Sequence, residues 1–66
     1  MKLWIARDED NTLWLHQYKP SVRSHPRLIY KWWYQEGDDW EMSEELFPEV
    51  TFENSPMEVE VKLIEK

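Results

Sequence analysis

Sixty-six residues with no cysteine and a net charge of −6 make one small domain, residues 1–66, with neither disulfides nor a thiolate zinc site to staple it. A chain this short buries only about 60% of its unfolded surface, so its core is marginal and self-association is the support left to it. No stretch reaches the roughly 20 apolar residues of a membrane span. The apolar start at Leu3–Ala6 is also far shorter than the roughly 7–15 residues of a signal-peptide core. Together these predict a soluble, cytoplasmic protein.

Residues 2–7 alternate as a strand, with Leu3 and Ile5 on one face and Trp4 and Ala6 on the other. Asp8–Asn11 is the turn, since Asp favours turn starts and Asn tolerates the left-handed conformation. Residues 12–18 form the second strand. It carries Leu13 and Leu15 on one side and Trp14, His16 and Tyr18 on the other. The aliphatic side predicts a core. The aromatic side predicts a second use, as a subunit seam, a ligand site or both. If one subunit covers only one of these sides, the other awaits a partner.

Residues 19–27 read as an irregular loop, because Pro20, Pro26 and two serines argue against regular structure. The loop is basic, with Lys19, Arg23, His25 and Arg27 and no acid. Residues 28–34 form a third strand, Leu28, Tyr30, Trp32 and Tyr34 alternating with Ile29, Lys31 and Trp33; the pattern leaves open which face is buried. Gln35–Asp39 holds the one glycine and predicts a hairpin turn returning into a short strand at 40–42.

Ser43–Phe47 predicts one helical turn, capped by Ser43 and stopped by Pro48. Residues 49–53 read as extended and 54–56 as a turn. Residues 57–64 form the cleanest strand, with Met57, Val59, Val61 and Leu63 inward and Glu58, Glu60 and Lys62 outward. The expected fold is mainly β, a small α+β variant: an antiparallel sheet of four to five strands with one short helical turn, self-associating.

Charge divides the chain. Residues 1–34 hold six Lys/Arg against three acids, a net of +3, and residues 35–66 hold eleven acids against two Lys, a net of −9. The acidic half repels a long polyanion, so long nucleic acid is a poor partner. Ten aromatic rings exceed what so small a core can enclose. Rings that stack on bases, beside cations that meet phosphates, are the signature of a nucleotide site. The residues that would line it are Trp4, Trp14, His16, Tyr18, Arg23 and Arg27. The carboxylates stand in turns rather than apolar runs, so none promises the burial that acid–base catalysis needs. His16 and His25 lack metal-ligand spacing. The chain therefore reads as a non-enzyme with no metal and no cofactor.

Two blocks carry a resemblance: Leu3-Trp-Ile-Ala-Arg-Asp8 followed by Thr12-Leu-Trp-Leu15, and Leu46-Phe-Pro-Glu-Val-Thr-Phe-Glu-Asn-Ser-Pro-Met-Glu-Val-Glu-Val61. They resemble a family of short, acidic, mostly uncharacterised proteins of bacteriophages and mobile elements. Where many of those proteins carry Asp-Gly in the first turn, this chain has Asp10-Asn11. The basic loop and Tyr30–Tyr34 have no counterpart in the resemblance. It implies an anti-defence protein working in a host cell's cytoplasm. Three functional expectations follow. The first is a homo-oligomer that sequesters a small nucleotide signal as a sponge. The second is an acidic inhibitor of the anti-CRISPR kind, occupying the nucleic-acid groove of a host effector. The third is an accessory protein with no ligand.

Overall fold

A computed structural model describes residues 2–60. Within them the chain is all-β and antiparallel. Six strands run in order: β1 (Lys2–Arg7), β2 (Leu13–His16), β3 (Ser21–Arg23), β4 (Trp32–Tyr34), β5 (Asp39–Met42) and β6 (Met57–Glu60). Four form a sheet in the order β5-β2-β1-β6, and β3 and β4 form a separate two-stranded ribbon.

The leading hairpin is as the alternation predicts. Ile5 pairs with Leu15 and Trp4 with His16. Asn11 takes the left-handed conformation at φ 81°, which its short polar side chain tolerates. The Asp8 amide donates to the Thr12 carbonyl at 2.8 Å and closes the turn.

The hydrophobic core is small. Ile5, Leu13 and Val50 are buried together, and Leu15, Met42 and Val59 pack on them half-buried. All the strand members of this cluster lie on the aliphatic side, as expected. The other side is also closed by the same chain, however: Ala6 is 0% and His16 1% exposed, while Trp4 and Trp14 are half-buried. The expectation that one subunit covers only one side is therefore corrected at the centre of the sheet.

Arg7 closes one end of the core. Parity places it beside Leu3 and Ile5, pointing inward, and it is 6% exposed. Its five N–H groups all donate to backbone carbonyls: Nε to Val50 (2.6 Å), Nη1 to Asn11 (2.9 Å) and Glu44 (3.1 Å), Nη2 to Leu46 (3.0 Å) and Phe47 (3.2 Å). The segment between β5 and β6 is thus wrapped around a guanidinium. Two of its carbonyls flank the left-handed Phe47, at φ 48°, a conformation costly for a bulky residue unless its surroundings impose it.

Several expected boundaries move. Residues 19–27 are not wholly irregular, because Ser21–Arg23 pairs with Trp32–Tyr34. The third strand is confined to residues 32–34, where it pairs with the three-residue β3; Leu28 instead closes a turn onto the His25 carbonyl. The returning strand β5 pairs with β2 and not with its chain neighbour β4. The expected helical turn is a single hydrogen-bonded turn, Leu46 N–H to the Ser43 carbonyl at 3.0 Å, because Arg7 draws the Glu44, Leu46 and Phe47 carbonyls aside. The expected extended run at 49–53 curls into a turn, where Asn54 Oδ1 accepts the Thr51 amide at 2.7 Å. Met57–Glu60 of the last expected strand pairs with β1; residues 61–64 of it lie outside the described residues. No helix among the described residues is long and apolar enough to cross a membrane.

Candidate functional site

The ribbon β3–β4 is held against the sheet by Asp8. Its Oδ1 accepts the Trp33 amide at 2.8 Å and its Oδ2 accepts the Thr12 hydroxyl at 3.3 Å. The Glu9 amide adds a bond to the Lys31 carbonyl at 3.0 Å. Trp33 packs inward on Phe52, with ring centroids 5.9 Å apart. Strand alternation then turns Trp32 and Tyr34 outward. The sequence left open which face of residues 28–34 is buried; within the paired part it is the Trp33 face.

On the outer face, Arg23 stands across the ladder from Trp32. Its guanidinium lies 5.0 Å from the centroid of the Tyr34 ring, within cation–π range. Arg23, Trp32, Tyr34 and Glu36 line one concavity of about 270 Å³. Behind it, Gln35 is buried and ties down the turn that follows. Its Nε2 donates to the Gly37 and Asp38 carbonyls at 3.0 and 2.8 Å, and its Oε1 accepts the Gly37 amide at 2.6 Å. These bonds hold the backbone on either side of Glu36, whose exposed side chain lines the same concavity as the rings.

The six residues expected to form one site fall into separate places. Trp4, Trp14 and His16 share one face of the sheet, with Trp4 opposite His16 and Trp14 opposite Ala6. His16 is sealed, and neither ring nitrogen has a hydrogen-bond partner among the described residues. Burial pushes its pKa below the ordinary value, against a smaller upward pull from Asp39. The Lys19 ammonium sits 5.5 Å from the Trp4 ring centroid. Tyr18 leaves the strand at a bend and joins Lys2, Leu3, Gln17, Asp38 and Trp40 around a different concavity, of about 330 Å³. Arg23 belongs to the ribbon, and Arg27 lies exposed in the loop beyond it, its amide bonded to His25 Nδ1 at 3.1 Å.

Sequence reasoning missed Trp32, Tyr34 and Glu36 as companions of Arg23. The parity of 28–34 already put Trp32 and Tyr34 on one face. What it lacked was the partner strand, hidden between Pro20 and Pro26. The chain matches no protein-family model, no curated protein and no solved structure.

Proposed function

We propose that this chain is a non-enzymatic binding protein that sequesters a small nucleotide signal, and that it serves a phage or mobile element against host immunity. The observation that carries the reading is the ring-and-cation grouping on the β3–β4 ribbon: Arg23 over Tyr34 at 5.0 Å with Trp32 directly opposite. The open face of the half-buried Trp32 ring offers a stacking surface worth about 1–3 kcal/mol per base, and a guanidinium offers a fork that fits phosphate. The concavity is open, so a second copy of the chain closing over it is part of the proposal. The test is thermal-shift and calorimetric titration against mononucleotides, cyclic dinucleotides and ADP-ribose compounds, with native mass spectrometry to count copies. Saturable binding lost in Trp32→Ala is expected. Absence of any shift or heat across the panel rejects the reading.

A second reading has its own observation. Glu36, Asp38, Asp39, Glu41, Glu44 and Glu45 are all exposed, so the acidic half presents its charge outward. That arrangement suits an inhibitor entering the basic groove of a host effector. Its association should weaken steeply with salt, and salt-independent capture of the partner would reject it.

A further inference from the structure

We infer that the Arg23–Trp32–Tyr34–Glu36 concavity selects guanine among the bases. This rests on the nucleotide reading above and goes one step further, to the identity of the base. The concavity, at about 270 Å³, is slightly under the roughly 300 Å³ at which small-molecule sites begin. It has room for a base, with the sugar and phosphate left outside.

The four side chains divide the work. Arg23 already occupies the face of Tyr34, so the ring face left for a ligand is that of Trp32, which is half-buried and held by its place in the ladder. The resident guanidinium disfavours a cationic ligand there and favours a phosphate beside it. Glu36 supplies the discrimination. A carboxylate only accepts hydrogen bonds, through two parallel oxygens. Guanine alone among the common bases presents two adjacent donors on its pairing edge, N1–H and the N2 amino group. Adenine and cytosine present one amino donor beside a ring acceptor, which faces the second carboxylate oxygen with a repelling lone pair. Uracil presents one donor between two acceptors. A well-formed bidentate pair discriminates by about 1–3 kcal/mol, which corresponds to roughly fivefold to more than a hundredfold.

The experiment titrates the full chain with GMP, IMP, AMP, CMP, UMP and guanosine by calorimetry, with the site located by amide and indole NMR shifts. GMP is expected to bind at least about fivefold more tightly than AMP, CMP or UMP. IMP, which lacks the N2 amino group, should fall between. Shifts should centre on residues 21–36. Glu36→Gln should shrink the preference for GMP over AMP to below about threefold while leaving the spectrum of the sheet unchanged. Arg23→Gln should erase the advantage of GMP over guanosine and leave base preference intact. Equal binding of all the nucleotides with a footprint on residues 21–36 overturns guanine selection and leaves the nucleotide reading standing. A GMP footprint away from the ribbon overturns guanine selection and removes the ribbon grouping as support for the nucleotide reading. Binding of no nucleotide at all overturns both.

Discussion

His16 stands directly across from Asp39 on the adjoining strand, yet neither of its ring nitrogens makes a hydrogen bond among the described residues. The residue is 1% exposed, so one donor and one acceptor are buried unmatched in the neutral form, and on protonation the acceptor becomes a second unmatched donor that carries charge. Burial lowers the folded-state pKa below the ordinary value of about 6.5, and the carboxylate opposite only partly restores it. The unfolded chain therefore takes up the proton first as pH falls. The stability linked to this residue is present above about 6.5 and is lost as pH falls below that value toward the depressed folded pKa. Urea unfolding of the wild type should weaken between pH 7 and 5, while His16→Leu should be flatter across that window. Leucine also removes two unmatched groups at about 1–3 kcal/mol each, so the variant should be the more stable protein at pH 5.5. A steeper pH dependence in His16→Leu would refute this account.

Arg7 spends every donor on a carbonyl of the chain that wraps it. Lysine keeps the charge but has three donors and no planar fork, so at least two of these five carbonyls lose their partner. Each bond to a charged group is worth about 1.5–3 kcal/mol. A domain of this size has roughly 3–10 kcal/mol in all. Arg7→Lys should lower the urea midpoint by about 3 kcal/mol in stability terms, and Arg7→Ala should leave the chain unfolded by circular dichroism at 25 °C. An Arg7→Lys protein of wild-type stability would show that the carbonyl cage does not hold the 43–55 segment.

The parts of the fold legible in the sequence are those set by local pattern. Leu3, Ile5, Leu13 and Leu15 alternate strictly, and Asn11 can take the left-handed turn, so the first hairpin and the side chains that share each face follow from the period of two, which leaves Trp4 opposite either Trp14 or His16; the pairing is with His16. Long-range pairing was not legible. β5 prefers β2 to its neighbour β4, and the ribbon depends on a three-residue strand between prolines. The inward arginine was visible in principle, since position 7 continues the Leu3–Ile5 face. A charge there signals a partner inside, but no spacing rule says that the partners are five carbonyls, four of them about forty residues away. The candidate site was half legible: Arg23 and the shared face of Trp32 and Tyr34 were readable, but not that this face points outward or that they meet.

Gly37 is required by close approach, not by its backbone angle. A Cβ there would lie 2.6 Å from Tyr18 Cδ2, 2.7 Å from Gln17 Oε1 and 2.7 Å from Gln35 Oε1. Tyr18 is 59% exposed and can swing away. The two amide oxygens cannot follow, because Gln35 Oε1 accepts the Gly37 amide and Gln17 Oε1 accepts the Asp38 amide. Gly37→Ala should therefore destabilise by about 1–3 kcal/mol, and adding Tyr18→Ala should recover little of it. Full recovery in the double variant would place the obstruction in the tyrosine ring instead.

Asp8 joins the ribbon to the sheet through the Trp33 amide, and replacements at this position separate its hydrogen bonding from its charge. Burial pushes its pKa above the ordinary value; the Trp33 amide and the Thr12 hydroxyl pull it down, and Asp10 and Asp39 add a smaller upward push. A raised folded pKa means that the charged form is the less favoured one in the fold. Its stabilising contribution is full below the unfolded value and is lost as pH rises through the folded one. Asn keeps an oxygen for the Trp33 amide and sheds the charge, so Asp8→Asn should hold wild-type stability at pH 7 or exceed it. Asp8→Ala removes the acceptor and leaves a part-buried amide unmatched, at a cost of about 1–3 kcal/mol. That cost should fall on the ribbon alone: hydrogen exchange at Trp33 should quicken in Asp8→Ala, while β1 and β2 amides exchange at wild-type rates. Uniform acceleration across the sheet would mean that Asp8 supports the whole domain and that the ribbon is no separable unit.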